Sequence, residues 1–353
     1  MRPSTFYGFA GISAIAVVAA VLSVSMKSDT ISLTPGTEPA FPKLVEGVNQ
    51  VVKIEIKNSK GSFSITRDGN NWGMDQKEGY MVEFEKVKSA IVNLSEFKLI
   101  EKKTSDPERY IRLEVDPPNS PESKGREIQL KDSKGITLAS AIIGKLNPNL
   151  FGSGGAGTYI RRNGETASWL VRGQVELGEE PNNWMLRTIV NYGQETVKRV
   201  VIVHPDGRSF TISKATKKQK NFTLQNIPTG RKIKNPDEAN PLAGVMWRMM
   251  FDDVKKADNQ KWPEKSWVAY FTTWQGFTVK IETAKFGEDF WGRISATVDD
   301  VIADPEKRTA AGLAARKINE KTSGWTYMLT AGDSEKLTFP IEEYLAKHKK
   351  EDS

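Results

Sequence analysis

The strongest constraint on the fold is an order of elements that the chain runs through twice. Residues 48–57, VNQVVKIEIK, alternate polar and β-branched positions with period two, the pattern of a half-buried strand. SFSITR at 62–67 repeats the alternation, Asp68-Gly69 supplies a tight turn, and Trp72-Gly73-Met74 starts a third strand. A helix is predicted from Glu83 to Leu99, because Val87, Ala90, Ile91, Leu94 and Phe97 fall on one helical face. Asp106 to Leu113 reads as a short helical turn. Strands are then predicted at Glu127–Lys131, Thr137–Ile143, Thr158–Arg161 and Ser168–Val171, with Gly135 and Asn163-Gly164 at the turns. A short helix within Gln174–Arg187 closes the first pass.

The second pass starts near Asn191. VKRVVIV at 197–203 stands where the first strand stood, and SFTIS at 209–213 repeats SFSIT at 62–66. Leu242, Val245, Met246, Met249, Met250 and Val254 predict a helix within Pro236–Lys256. Strands follow at Trp267–Thr272, Phe277–Thr283, Phe290–Val298 and Trp325–Leu329, then a short helix at Pro340–His348. Strands joined by tight turns pair antiparallel, and a helix with one apolar stripe covers one sheet face. The expected fold is therefore α+β: antiparallel sheets each covered by a helix, in two structurally similar repeats, preceded by one transmembrane helix. The expected domains are an anchor or signal segment at 1–27, a linker at 28–42, lobes at 43–190 and 191–348, and a charged tail at 349–353.

The transmembrane expectation comes from Phe6 to Met26, FYGFAGISAIAVVAAVLSVSM, which carries no charge. At about 1.5 Å per residue such a helix spans the roughly 30 Å hydrocarbon core of a bilayer. Arg2 and the amino terminus precede it, which places the remainder outside the cytoplasm by the positive-inside tendency. Two readings stay open: an uncleaved anchor, or a signal peptide cut near Ser23-Val24-Ser25. The expected location is the bacterial inner membrane, single-pass, with the bulk of the chain in the periplasm. KSDTISLTPGTEPAFP at 27–42 reads as the linker leading away from the bilayer.

Composition removes several kinds of chemistry. The 353 residues contain no cysteine, so there is no disulfide framework, thiolate metal site or cysteine nucleophile. Net charge is +7, with the basic residues spread along the chain apart from clusters at 217–220 and 347–350; no nucleic-acid motif accompanies them. The two histidines, His204 and His348, lack acidic or histidine neighbours at metal-ligand spacing. No G-x-S-x-G elbow is present. Ser95-Glu96-Phe97-Lys98 fits S-x-x-K, a spacing too permissive to argue from. The glycine-rich stretch 152–157 leads into a strand, whereas a phosphate loop leads into a helix. The adjacent carboxylates Asp252-Asp253, Asp299-Asp300 and Glu342-Glu343 diverge on any regular backbone. No catalytic residue, metal site or cofactor is expected. The most distinctive residues are tryptophans: Trp247, Trp262, Trp267, Trp274 and Trp291 crowd one stretch, and tryptophan is enriched at interfaces and sugar-binding faces. These five are the candidate partner surface.

The chain resembles bacterial proteins carrying the domain of unknown function 4340. The resemblance rests on the N-terminal apolar segment, on VNQVVKIEIK and SFSITRDGNNW, and on the helix start at Val82-Glu83-Phe84. Gly144, Thr158-Tyr159-Ile160-Arg161 and Ser168-Trp169-Leu170-Val171 extend it. It covers 41–186 well and the second half more loosely. The resemblance implies no catalytic residues. It does imply a neighbourhood with ABC-type export systems, and hence an extracytoplasmic accessory part. The expected function is a membrane-anchored periplasmic binding or scaffold protein with an integral-membrane or envelope partner, not an enzyme. The alternatives are an envelope enzyme acting on glycan or peptidoglycan through a carboxylate pair, and a small-ligand or lipid-binding module.

Overall fold

Alternating strand sequences with turn residues between them fold into antiparallel sheets in each of two compact units. The structure, a computed structural model, describes residues 37–150, 155–299, 302 and 304–347. The expected anchor Phe6–Met26, linker residues 28–36, His348, Asp300 and the tail lie outside the described residues, while Ala40 and Phe41 at the end of the expected linker are buried. Among the described residues, no helix is long and apolar enough to cross a membrane. The first unit joins the described residues up to Ser64 to Glu85–Glu179, and the second joins Ile65–Phe84 to Glu180 onward. The division differs from the expected contiguous lobes in two ways. The late boundary falls at Glu179/Glu180, and Ile65–Phe84 belongs with the C-terminal residues.

In the first unit, helix α1 (Pro42–Gly47) packs on the sheet and leads into β1 (Val51–Asn58) and the first half of β2 (Gly61–Asp68). The second half of β2 pairs with β3 (Asn71–Met74), and β3 with β4 (Tyr80–Met81), inside the second unit. Helix α2 (Phe84–Ser95) then returns the chain to the first unit, burying Val87, Ala90, Ile91 and Leu94 as their spacing predicts. After it come β5 (Lys98–Lys102) and helix α3 (Tyr110–Leu113), reached through a 3-10 turn at Pro107–Arg109 that Asp106 caps. Next are β6 (Arg126–Asp132), β7 (Thr137–Asn147), β8 (Gly157–Arg162) and β9 (Ser168–Arg172). The order across this sheet is β2-β1-β6-β7-β8-β9-β5. Gly144 lies where the β7 backbone passes the end of α3: a Cβ there would sit 2.3 Å from the Leu113 carbonyl oxygen.

The second unit continues with β10 (Thr188–Val190), β11 (Val197–Val203), β12 (Ser209–Ser213), β13 (Thr223–Gln225) and the short helix α4 (Asn240–Ala243). Then come β14 (Met249–Lys256), β15 (Trp267–Thr273), β16 (Phe277–Phe286), β17 (Asp289–Val298), helix α5 (Pro305–Thr322), β18 (Trp325–Leu329) and helix α6 (Ala331–Thr338). Across its sheet the order is β12-β11-β15-β16-β17-β18-β14, flanked by β13 and β10. Matched in chain order, these seven strands are arranged as the seven of the first unit.

The helix expected within Pro236–Lys256 is corrected. Only Asn240–Ala243 is α-helical, and Met249 onward is strand. Gly244 ends the helix, Arg248 turns the chain with φ +50°, and β14 carries a register shift between Phe251 and Asp253. That irregularity separates the buried Phe251 and Val254 by three residues, a helical spacing made by a bulged strand. The helix that covers the β16–β17 region is α5, with Ala311, Ala315, Ile318 and Thr322 buried. The short helices expected within Gln174–Arg187 and Pro340–His348 are 3-10 turns, Pro181–Asn183 and Ile341–Tyr344.

Ile65–Phe84 is part of the second unit's core. Tyr80 is fully buried and meets Phe251, Trp325 and Tyr327 edge-on, at centroid separations of 5.2, 4.9 and 6.1 Å. Its hydroxyl donates to the Leu186 carbonyl at 3.2 Å. Glu83 N–H donates to the Trp184 carbonyl at 2.8 Å, and Lys77 pairs with Asp253 at 2.5 Å. Burial pushes the Tyr80 and Tyr327 phenols above their ordinary range, so both remain protonated donors.

Candidate functional site

In the second unit, a turn after β10 and the chain leaving α4 border an open hollow of about 430 Å³. Its lining is Asn191, Gly193, Gln194, Glu195, Gly244 and Trp247. Backbone hydrogen bonds fix both walls. Tyr192 N–H donates to the Met246 carbonyl at 2.8 Å, and Trp247 N–H to the Gly244 carbonyl at 2.9 Å. The Thr196 hydroxyl closes the 3-10 turn by donating to the Gly193 carbonyl at 2.7 Å. Arg248 N–H donates to Asn191 Oδ1 at 3.1 Å, tying the walls together.

The position of Trp247 follows from its neighbours. Val245, Met246 and Met249 are buried at 1%, 0% and 0% exposure and anchor the segment in the core. The left-handed Arg248 between them reverses the chain, and Trp247 emerges with 64% of its surface exposed. An exposed indole forgoes a burial contribution of roughly 1.5–3 kcal/mol. Glu195 lies across Gly193, where a Cβ would meet its carboxylate at 2.2 Å. Among the described residues, the Glu195 carboxylate and the Gln194 amide have no protein partner, and Asn191 engages only its Oδ1. The rim thus offers an aromatic face, an acceptor-only carboxylate, and two amides with free N–H donors.

The structure distributes the five candidate tryptophans along the second unit without gathering them into one patch. Trp291 is 3% exposed, with Lys255 over its ring at 4.4 Å. Trp262 is half-buried between Phe286, at 5.6 Å, and the Arg293 guanidinium, at 4.4 Å. Trp267 meets Phe290 edge-on at 5.9 Å, and Trp274 has Lys198 over its face at 5.5 Å. Trp247 is the member of the five that lines the hollow. Its polar companions Asn191, Gln194 and Glu195 were not singled out from sequence, since nothing in NYGQET marks them apart from an ordinary turn.

Other sites read from sequence also have definite places. His204 sits at the β11–β12 turn, its backbone N–H donating to the Arg208 carbonyl at 2.8 Å; burial lowers the pKa of its imidazole. Ser95 donates to the Val92 carbonyl of its own helix end at 2.7 Å. Asp252 pairs with Arg187 at 3.1 Å and Asp253 with Lys77, so the two adjacent acids face different cations. Glu342 lies 3.7 Å from Arg208, and Glu343 4.0 Å from Lys234. Asp299 accepts from the Thr278 hydroxyl at 2.7 Å. Among the described residues, no three His, Asp or Glu side chains are grouped to hold a metal ion.

Residues 72–266, more than half of the chain, match a family described as a domain of unknown function, DUF4340. No curated protein and no solved structure matches the chain.

Proposed function

Because this chain belongs to the DUF4340 family, whose description names no chemistry, we propose its function from geometry: a binding module held outside the cytoplasm by its N-terminal apolar run. The observation that carries the reading is Trp247, held 64% exposed beside an open hollow where, among the described residues, the Gln194 and Glu195 side chains and the Asn191 amide N–H groups lack protein partners. Side chains that bind nothing within the protein are available to something outside it.

Phe6–Met26 would fix the module at the inner membrane, with its bulk in the periplasm, as an accessory to an ABC-type envelope export complex. The two units would descend from one duplicated ancestor, a reading supported by seven strands matched in chain order and in sheet order. The glycosidase-like alternative draws less support. Glycoside hydrolysis requires two carboxyls facing one another across a cleft, whereas Asp252 and Asp253 each pair with a different cation.

Two measurements test the proposal. A C-terminal reporter that is active only outside the cytoplasm should be active on the full chain. A photocrosslinker at Trp247 should then capture an identified envelope component more efficiently than one at Lys134, on an exposed turn of the first unit. An inactive reporter, or equal capture from both positions, would refute it.

A further inference from the structure

We propose that the Trp247 hollow is a saccharide site that takes one ring of a neutral or amino-sugar glycan, the ring lying on the indole face. This inference rests on the binding reading above and specifies its ligand. It starts from the chemistry available at the rim. A pyranose has one face of C–H bonds and a perimeter of hydroxyls, and each hydroxyl both donates and accepts.

The C–H face is complementary to the electron-rich face of an indole, and Trp247, which lines the hollow, is 64% exposed. The hydroxyl perimeter needs donors and acceptors together. The hollow supplies both: the Glu195 carboxylate accepts, the Asn191 amide retains its N–H donors, and the Gln194 amide offers one group of each kind. The volume of about 430 Å³ lies within the roughly 300–1,000 Å³ typical of small-ligand clefts, and the open mouth suits one unit of a longer chain.

Charge narrows the class. An unpaired carboxylate at the rim repels uronic acids and phosphorylated sugars, and accepts from a hydroxyl, an acetamido N–H or an ammonium. A purely cationic ligand, such as a lysine side chain, would suit Trp247 and Glu195 but would leave the amide N–H donors unmatched. A lipid chain would leave all three polar side chains unmatched. The mixed donor and acceptor set therefore favours a polyhydroxylated ring.

The test is calorimetric titration of the full chain in detergent with four probes: tetramers of N-acetylglucosamine, of glucose and of galacturonate, and tetralysine. At least one neutral tetramer should bind with Kd on the order of 0.1–1 mM, the free energy of a few hydrogen bonds and one stacked ring. Trp247→Ala should weaken that binding at least tenfold, and Trp247→Phe by less. Glu195→Gln should change it by less than about threefold, because the amide still accepts. Galacturonate should bind more weakly than either neutral tetramer.

No neutral tetramer binding at 10 mM would overturn the proposal, as would binding that Trp247→Ala leaves unchanged. Tetralysine binding that disappears in Glu195→Gln, with no saccharide binding, would replace the ligand class with a cationic peptide. Failure here while the Trp247 photocrosslinker still captures an envelope component would discard the saccharide and leave the binding module intact.

Discussion

Removing the Tyr80 side chain tests the assignment of Ile65–Phe84 to the second unit. The ring is fully buried and meets three aromatic partners edge-on, at 5.2, 4.9 and 6.1 Å. Such pairs contribute roughly 0.5–1.5 kcal/mol each beyond burial. Truncating a buried aromatic to alanine costs about 3–5 kcal/mol, the upper part applying where rigid neighbours cannot collapse into the space. Phe251 and Tyr327 are strand residues, fully buried themselves, so the higher values are expected for Tyr80→Ala. Tyr80→Phe keeps the ring and loses the 3.2 Å hydrogen bond to the Leu186 carbonyl, a cost of about 1 kcal/mol.

Tryptophan fluorescence reads the correct unit, because Trp169 is the only one of the nine tryptophans outside the second unit. With a urea slope of about 2 kcal/mol/M, Tyr80→Ala should move the fluorescence midpoint down by about 2 M and Tyr80→Phe by about 0.5 M. Trp247→Ala, at an exposed site, should move it by about 0.25 M at most. A Tyr80→Ala shift no larger than that of Trp247→Ala would mean that Ile65–Phe84 does not complete this core, and the discontinuous boundary would fall with it.

Other substitutions probe separate features. Gly144→Ala brings a Cβ to 2.3 Å from the Leu113 carbonyl oxygen and should cost about 1–3 kcal/mol by denaturant titration; a neutral effect would show that α3 yields freely. Asp253→Asn removes the carboxylate from the 2.5 Å pair with the half-buried Lys77 and should lower stability by about 1 kcal/mol, with weak salt dependence. Trp291→Ala should cost about 3–5 kcal/mol, unlike Trp247→Ala, because only Trp291 is buried. For pH, the Lys131 ammonium donates to Glu55 at 2.6 Å and holds its carboxyl below the ordinary 4.5. A lowered folded pKa gives a contribution that is present above pH 4.5 and lost as pH falls through the folded value. Glu55→Gln should therefore be less stable than the parent at pH 7 and converge with it in acid; a constant difference across that range would rule out the linkage.

Strands were legible wherever alternation and a turn residue coincided. VKRVVIV, SFTIS and WTYML each lie within 1 residue or less of their strand bounds, because one face is buried and a slip would expose it. β14 was misread because its register shift spaces apolar residues as a helix does. α5 left a weak apolar signal, since its buried stripe is two alanines, a threonine and a single large apolar residue, Ile318; Asp304-Pro305 nonetheless marks its start, with the Asp304 carboxylate accepting from the N–H groups of Glu306 and Lys307. The crowding of tryptophans, read as a candidate partner surface, could not separate one exposed indole from buried neighbours. That distinction depends on the φ of Arg248 and on the buried Val245 and Met246, which set the direction of a side chain.

The discontinuity of the second unit also governs how this protein can be made. Lys77 and its partner Asp253 stand 176 residues apart, so Ile65–Phe84 leaves the ribosome long before the strands it completes exist. At roughly 5–20 residues per second, Tyr80 waits on the order of ten seconds or more for Phe251 and Tyr327. During that interval β3 and β4 lack their eventual aromatic partners, and a nascent chain halted before β14 would carry a hairpin with no core to enter. A fragment begun at Glu180 would inherit the converse defect: a sheet bearing the Trp247 hollow but missing Tyr80, unable to serve as an independent reagent for that site.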